Sequence, residues 1–344
     1  MPILDTTDSS LVQRYSEFVE SSPWGTFLQA IAWSEVKDNW DSDYIYLEDD
    51  ESGQIRGALS ILSISNDGEH AFLYAPRGPV CDPADIDTVR ELIEEAEAVA
   101  HARNAFLLRM DPAVEYSDDL AELYSNQDGI ALRSRTVATN EGEKVFSNPR
   151  RNMILSIEGR SLEDIIASYP RKFRYQIRRT YKDGLATRRI QFHDEEFERA
   201  LDTFYDLTVQ MTERKGITHR PKDYFRRLMN AFADSATMLE TYDETGEVLS
   251  SCIVITYNDT ASYLYAASSD NKRHLQPSVQ MTTEAIGLTI EKGLDHFDFG
   301  GVYGFDASDG LYLYKSKYTG AEGLHEYLGE IDVVYNAAIY RDFI

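Results

Sequence analysis

The chain carries two similar hexapeptides, DESGQI at residues 50–55 and DETGEV at residues 243–248, which lie 193 positions apart. Two further matches follow in the same order: Asn-Asp at 66–67 and 258–259, and Leu-Tyr at 73–74 and 264–265. Glycine, asparagine and aspartate are typical of hairpin turns because they tolerate positive φ. Three co-registered matches predict that one structural unit occurs twice in the chain.

The elements predicted around these matches have the same order in both copies. Each copy reads as a strand, a glycine turn, a long strand, a second turn, a strand ending in tyrosine, a helix and a final strand. The amphipathic helices are predicted at 85–104 and 279–293, and the strand after the second helix at 296–299. Hairpins followed by a helix and a strand, twice over, predict an α/β fold of two sandwiches with mixed sheets. The length of 344 residues, about twice that of a usual domain, agrees with this.

Charge is distributed unevenly along the chain. The formal net charge is −25, and residues 1–150 alone hold 29 acids against 11 bases. Such a surface repels nucleic acid on average, because phosphate binding relies on Lys and Arg, so a protein that coats DNA is excluded. Residues 151–190 differ, with 10 bases against 4 acids. This segment is where we expect a phosphate-bearing partner.

Several other classes of protein are excluded by pattern. No apolar stretch approaches the roughly 18 residues of a membrane helix, and the first ten residues lack a signal-peptide pattern, so we expect a cytoplasmic protein with at most peripheral membrane contact. Cys81 and Cys252 are too few for a disulfide framework and are expected in the core.

Metal and nucleotide chemistry have no support in the sequence. The seven histidines show no HxH, HxxH or HxxxH spacing, and no GxxxxGK[ST] motif is present. We therefore predict no metal and no cofactor. An enzyme that forms a bond without nucleotide hydrolysis needs a donor that is already activated.

A strongly basic helix is predicted from about Pro170 to Gly184. Steps of three and four residues place on one face Arg171, Arg174, Arg178 and Lys182. A neighbouring stripe contains Phe173, Ile177 and Tyr181. The helix is either an ordinary solvated amphipathic helix or a track for RNA phosphates.

Three single residues are further candidates, each with a plain alternative. Lys37 lies near the end of a short helix and is otherwise a surface lysine. Arg214 lies at the end of a helix that is predicted to begin at Asp194. Its guanidinium either binds a diphosphate through two parallel hydrogen bonds or forms a salt bridge with a neighbouring acid. Lys315 follows the aromatic run GLYLY at 310–314. It is either a lysine that stabilises an oxyanion or a strand lysine whose ammonium reaches solvent.

An ordered set of segments, covering nearly the whole chain, resembles the Fem family of peptidoglycan bridge aminoacyltransferases, in particular its compact FemX type. The segments are FLQ at 27–29 with Trp33 and Lys37, YAPRGP at 74–79, LRMDP at 108–112, residues 171–184, YLYAASS at 263–269, FDFGGV at 297–302 and GLYLYK at 310–315. The resemblance implies two tandem GNAT-like (acyl-CoA N-acyltransferase-like) domains. The first would comprise residues 1–150, completed by about 325–344, and the second residues 151–324 with the basic helix. Residues 214–237 leave no room for the coiled-coil arm of many members.

The resemblance also implies an activity. An amino acid would pass from aminoacyl-tRNA to an amine of the stem peptide of UDP-MurNAc-pentapeptide or lipid II, by a monomeric enzyme that binds no DNA. Lys37 and Arg214 match residues that hold the precursor's phosphates, and Lys315 matches the lysine near the transfer centre. The remaining substrate-binding residues implied by matching segments are Arg77, Asp111 and Tyr265. The basic helix would contact the tRNA.

The mechanism expected from this resemblance has the acceptor lysine amine attack the ester carbonyl of aminoacyl-tRNA. Lys315 would stabilise the oxyanion or the departing ribose oxygen, and Asp111 is the one weak candidate for a general base. A CoA-dependent N-acyltransferase on the same fold is an alternative. Its pyrophosphate-binding turn, [QR]xxGx[GA], is matched best by YKDGLA at 181–186, which has Tyr where Gln or Arg is required. A non-catalytic RNA-binding module is the second alternative. The transferred residue, its bridge position and the acceptor form remain open.

Overall fold

The computed structural model describes residues 3–133, 147–302, 304 and 309–344. The chain divides into two compact units, Met1–Arg151 with His325–Ile344, and Asn152–Leu324. Among the described residues, no helix is long and apolar enough to cross a membrane. Cys81 and Cys252 are free and buried, which confirms their prediction as core residues.

Both units contain helices and strands. In chain order the helices are α1 (Ser9–Ser21), α2 (Ile31–Val36), α3 (Ile86–Ala102), α4 (Asp118–Ser125), α5 (Leu162–Ser168), α6 (Arg171–Lys182), α7 (Phe197–Lys215), α8 (Lys222–Phe232), α9 (Pro277–Glu291), α10 (Gly310–Thr319) and α11 (Ala337–Phe343). The strands are β1 (Asp41–Glu48), β2 (Ile55–Ser65), β3 (Ala71–Ala75), β4 (Ala105–Met110), β5 (Ile130–Arg133), β6 (Arg151–Ser156), β7 (Ala186–Ile190), β8 (Ala236–Tyr242), β9 (Val248–Tyr257), β10 (Thr260–Ser268), β11 (His296–Gly301), β12 (Leu324–Glu326) and β13 (Glu330–Val334).

The first unit is built on a six-stranded sheet with the order β1-β2-β3-β4-β13-β5. Its pairs are antiparallel except β3 with β4, which are parallel and joined through α3. The C-terminal strand β13 lies between β4 and β5. It is fixed there by a buried ion pair in which Arg109 donates to both carboxylate oxygens of Asp332, each at 2.7 Å.

The second unit contains a seven-stranded sheet with the order β12-β6-β11-β10-β9-β8-β7. Strands β8, β9 and β10 pair antiparallel, and β10 pairs with β11 in parallel through α9. This arrangement repeats that of β1 to β4 in the first unit, which confirms the internal duplication. The parallel pairing of β10 and β11 covers only three positions, from Thr260–His296 to Ser262–Asp298. Beyond these residues the two strands no longer pair, and the sheet opens.

The turns of the two copies share residue types but differ in length. Gly53 and Gly246 both adopt positive φ, at 66° and 83°, as the matched hexapeptides predict. The next turn spans residues 66–70 in the first copy, where Gly68 has φ 89°, but only residues 258–259 in the second, where Asn258 has φ 53°. The second turn is therefore the shorter of the two.

Three local predictions differ from the structure. Helix α7 begins at Phe197 rather than at Asp194, because the Asp194 carboxylate accepts a hydrogen bond from the Gln191 backbone N–H in a preceding turn. Strand β10 does not end at Tyr265 but continues to Ser268. Residues 310–315 form the start of helix α10, not a strand.

Candidate functional site

Lys315 lies on helix α10, so the alternative that it is a strand lysine is wrong. The Asp309 carboxylate caps the helix by accepting from the backbone N–H groups of Leu311 and Tyr312, at 2.8 and 3.2 Å. The tyrosines at 314 and 318, one helical turn apart, pack with ring centroids 5.5 Å apart. Alternation of Leu and Tyr in GLYLY imitates a strand, but the cap and the four-residue spacing favour a helix.

The ammonium of Lys315 is buried rather than solvated. Only 7% of the residue is exposed, and its Nζ donates a 2.7 Å hydrogen bond to the backbone carbonyl of Gly301 in β11. Burial lowers the pKa of Lys315 to about 8, against the opposing influence of the Asp298 and Asp309 carboxylates. The group therefore remains a cation at neutral pH and is held in one orientation, as an oxyanion-stabilising donor requires.

A cavity of about 470 Å³ opens beside Lys315, where β10 and β11 part. It is lined by Met211, Lys215, Tyr263, Ala266, Ala267, Ser268, Ser278, Met281, Phe299, Gly310, Leu311, Tyr314 and Lys315. The lining is mostly apolar or small, with few polar groups, which is the usual composition of a small-molecule site. The cavity lies entirely within the second unit.

Buried hydroxyl groups form part of the cavity wall. The Tyr314 hydroxyl is 2.7 Å from the Thr282 hydroxyl, and Thr282 also donates to Tyr263 at 3.4 Å. Burial raises the pKa of both Tyr263 and Tyr314. Both phenols are therefore neutral in the physiological range and act as hydrogen-bonding groups, not as bases.

Arg214 lies in the last turn of α7, which ends at Lys215 and is capped by Gly216 with φ 65°. Its guanidinium forms an ion pair with Asp270, and Arg273 pairs with the same carboxylate. Of the two interpretations of Arg214, the structure therefore shows the salt bridge. A diphosphate would have to share the two arginines with Asp270 or displace it.

Tyr265 lies in a small aromatic cluster on the same unit. Its hydroxyl is 3.0 Å from that of Tyr224 in α8, and its ring packs edge-on against Phe225 with centroids 5.1 Å apart. The guanidinium of Arg220 lies over the Tyr224 ring, 5.4 Å from its centroid. The position of Arg220 beside this cluster was not predictable, because residues 217–220 match no recognisable pattern.

Lys37 caps the C-terminal end of α2 in the first unit. Its Nζ lies 4.9 Å from the centroid of the Trp33 ring, a cation–π distance, and the side chain is half-buried. Gln29, from the matched FLQ segment, is fully buried and bonds Ser60 and the Pro76 carbonyl. It therefore fixes the chain ahead of α2, which carries Lys37.

Asp111 and Arg77 are buried together after the ends of β3 and β4. Asp111 accepts hydrogen bonds of 2.7 Å from the Arg77 backbone N–H, the Tyr74 hydroxyl and the Asn148 backbone N–H. The Arg77 side chain donates to the Pro149 carbonyl at 2.8 Å. With its oxygens occupied in this way, Asp111 is suited to positioning the chain, and the geometry gives no support to a general base. Asn148 is a member of this cluster that sequence reasoning missed.

The candidate residues are thus divided between the two units. Lys37, Arg77 and Asp111 belong to the first unit. Arg214, Tyr265, Lys315 and the basic helix belong to the second. Among the described residues, no group of three or more His, Cys, Asp or Glu side chains is arranged to hold a metal ion.

The basic helix α6 presents cations that have few acidic partners. Its inward residues are Phe173, Ile177 and Thr180; Tyr181, predicted in the apolar stripe, is 43% exposed, and its hydroxyl donates to Glu284 at 2.6 Å. Within the part of the chain that the structure describes, Arg179 pairs with Asp183. No ion pair with a described carboxylate occurs at Arg171, Lys172, Arg174, Arg178 or Lys182.

Comparisons of structure agree with this fold. The crystal structure of FemX has a TM-score of 0.82 and 22% sequence identity, with 99% of each chain covered. A tandem GNAT protein from the clavulanic acid biosynthesis pathway has a TM-score of 0.54 at 12% identity, covering 96% of this chain and 95% of that one. A sequence profile of the acetyltransferase (GNAT) domain matches residues 171–316. The two tandem GNAT-like domains are therefore confirmed.

Comparisons of sequence identify the family. The chain is 33% identical to the UDP-N-acetylmuramoylpentapeptide-lysine N(6)-alanyltransferase of Weissella viridescens, over 100% of this chain and 99% of that protein. It is 25% identical to the lipid II:glycine glycyltransferase of Staphylococcus epidermidis, over 96% of this chain and 92% of that protein. The FemAB family profile matches residues 11–242. The chain belongs to the FemAB family.

Proposed function

We propose that this protein transfers an amino acid from aminoacyl-tRNA to the stem-peptide lysine of a peptidoglycan precursor, UDP-MurNAc-pentapeptide or lipid II. The observation that carries the proposal is the buried ammonium of Lys315 at the wall of the cavity between β10 and β11. Membership of the FemAB family supports it. So do the names of the relatives, an alanyltransferase acting on a pentapeptide lysine and a glycyltransferase acting on lipid II.

The reaction needs no nucleotide hydrolysis, because the ester bond to tRNA is already activated. The acceptor amine attacks the ester carbonyl carbon, and a C–N bond forms. The C–O bond to the ribose then breaks, and the proton lost by the amine ends on the ribose hydroxyl. The Lys315 ammonium faces the developing oxyanion, where one well-placed donor typically contributes about 3 kcal/mol. The cavity beside it has room for the small acyl group of an amino acid.

The other candidate residues would hold the precursor. We propose that Lys37 of the first unit and Arg214 of the second each contact phosphate oxygens of the precursor, which their positive charges suit. Tyr265 would contact the same substrate. Arg77 and Asp111 would act by positioning the chain after β3 and β4, since their polar groups are engaged within the first unit.

The tRNA would bind along α6. Five of its six basic residues have no carboxylate partner among the described residues, so their charges are available to phosphates. In a chain with net charge −25, such a helix attracts a polyanion only locally. We place the reaction in the cytoplasm, where charged tRNA is found, and assign it to a monomer.

A CoA-dependent acyltransferase is the alternative function on the same fold, and the match to the GNAT domain at residues 171–316 is the observation that favours it. The YKDGLA segment, however, lies at the C-terminal end of α6, where the helix dipole is negative and repels pyrophosphate. The connection from β10 to α9, residues 269–276, contains no glycine that would let a backbone wrap phosphates. A non-catalytic RNA-binding module has no use for the buried Lys315 and its cavity.

The proposal is tested by incubating the protein with a pool of charged tRNAs and either UDP-MurNAc-pentapeptide or lipid II. Mass spectrometry of the precursor should show the addition of one amino-acid residue to at least one of the two acceptors. The mass difference would also identify the residue. No addition to either acceptor would contradict the proposal.

A further inference from the structure

The connection between α7 and α8, residues 216–221, is held against the second unit by specific contacts. His219 Nδ1 lies 3.0 Å from the Thr212 hydroxyl, and its Nε2 lies 3.4 Å from the Tyr205 hydroxyl. Both partners belong to α7. The next residue, Arg220, is therefore presented from a fixed point rather than from a free loop.

Arg220 is exposed, and its neighbours are tyrosines rather than acids. Its guanidinium lies 5.4 Å from the centroid of the Tyr224 ring. Burial raises the pKa of Tyr265, while the hydroxyl of Tyr224 and the nearby charge of Arg220 act in the opposite direction. Arg220 and the two phenols thus form one cluster.

Other arginines in this part of the fold are neutralised. Arg214 pairs with Asp270, Arg199 with Glu240, and Arg226 with Glu198. Arg220 has no ion pair with any carboxylate among the described residues. In so acidic a chain, an exposed guanidinium without a carboxylate partner, six residues from Arg214, indicates a site for an external anion.

The chemistry of the cluster suits an anion with two oxygens. The guanidinium lies over the Tyr224 ring and donates a hydrogen bond to the Tyr265 hydroxyl, and its remaining N–H groups are available to an anion. The planar group is pre-organised, so little entropy is lost when it binds. The phenol of Tyr265 offers a further O–H donor beside it.

We propose that Arg220, together with Tyr265, binds an oxyanion of the peptidoglycan precursor. Two groups on that substrate share this chemistry: a phosphate of the diphosphate and a carboxylate of the stem peptide. The inference rests on the proposed function, since it takes the precursor as the substrate. It adds Arg220 to the binding residues and gives Tyr265 a partner.

The test is isothermal titration of the wild-type protein and its variants with UDP-MurNAc-pentapeptide and with UDP-GlcNAc, which has the diphosphate but no carboxylate. Arg220→Ala should weaken binding of the pentapeptide at least ten-fold, and Arg220→Lys should give an intermediate loss. An equal loss for UDP-GlcNAc assigns the phosphate. A loss confined to the pentapeptide assigns the carboxylate.

The matched control is Arg226→Ala, which removes an arginine from α8 whose acidic partners are Glu198 and Asp223. It should bind both ligands as the wild type does, and circular dichroism should show that every variant is folded. If folded Arg220→Ala binds both ligands with wild-type affinity, the inference is wrong. If the wild type itself binds neither UDP-MurNAc-pentapeptide nor lipid II, the proposed function fails first and the inference falls with it.

Discussion

Burial determines what Lys315 can do. An ammonium that is 7% exposed, with one proton fixed on the Gly301 carbonyl, cannot be an incidental surface charge. Removing it from water is costly unless something is gained, and the gain we propose is a donor aimed into the adjacent cavity. The residue type was identifiable in the sequence, but its burial was not, because the GLYLYK alternation imitates a strand whose lysine would reach solvent.

Lys315→Ala should lower kcat by about 100-fold or more, which is the typical cost of losing one oxyanion donor. The Kd for UDP-MurNAc-pentapeptide should change by less than about threefold, because the proposed role is confined to the transition state. Steady-state kinetics and titration measure the two quantities. Lys317→Ala is the matched control, since that lysine is exposed on the same helix, two residues away, and should behave as wild type. If Lys315→Ala has the same kcat as Lys317→Ala and the wild type, Lys315 has no role in the mechanism.

The pH dependence follows from the depressed pKa of Lys315, which burial lowers to about 8. The active form of Lys315 is the charged one, so its stabilisation of the oxyanion is present below pH 8 and is lost as the pH rises through that value. The acceptor amine acts in the opposite sense, because a free lysine amine titrates near about 10.4. The profile of kcat/KM should therefore rise and then level off near pH 8. A rise that continued unbroken toward pH 10 would show that the Lys315 cation is not required.

At the scale of the element, α6 shows what a sequence pattern can and cannot establish. Its position and basic face were predictable from the spacing of three and four residues. The absence of acidic partners for most of its cations, among the described residues, was not predictable, because carboxylates reach a helix from distant parts of the chain. Tyr181 illustrates the same limit, since its partner Glu284 lies 103 residues away.

Neutralising the outer face of α6 should weaken tRNA binding without affecting the precursor. The triple variant Arg171→Gln, Arg178→Gln and Lys182→Gln should reduce the slope of log K against log[salt] by about 2 to 3, since each phosphate contact contributes about 0.7 to 0.9. Filter binding of charged tRNA over a salt series measures the slope. Arg179→Gln is the control on the same helix, because Asp183 already neutralises that arginine. An unchanged slope in the triple variant would place the tRNA elsewhere.

At the scale of the whole molecule, the duplication was legible because turns have strict residue requirements. Glycine and asparagine recur where the backbone needs positive φ, so the two copies kept a recognisable register. The return of the C-terminal segment to the first unit was implied only by resemblance to a family, and the place of β13 between β4 and β5 was not predicted. A pair such as Arg109 and Asp332 is separated by 223 residues, and no local pattern connects them.

The return of the chain to the first unit should depend on the ion pair between Arg109 and Asp332. Asp332→Ala removes the carboxylate that Arg109 binds at 2.7 Å, leaves it only Glu330 at 3.4 Å among the described carboxylates, and removes the acceptor of the Tyr340 hydroxyl. The free energy of unfolding should therefore fall by about 3 to 5 kcal/mol. Urea denaturation measures the change. Glu48→Ala, which breaks an exposed pair with Arg14 in the same unit, should cost no more than about 1 kcal/mol. Equal, small losses in the two variants would mean that the buried pair does not hold β13.

The identity of the acyl donor distinguishes a tRNA-dependent aminoacyltransferase from a CoA-dependent acyltransferase. UDP-MurNAc-pentapeptide and lipid II are each incubated with the protein and one of three donors: intact charged tRNA, the same tRNA digested with ribonuclease, or acetyl-CoA. The intact mass of the precursor is the readout. We predict a gain of one amino-acid residue on at least one acceptor with intact charged tRNA alone. An acetyl gain from acetyl-CoA with no amino-acid gain from tRNA would contradict the proposed function.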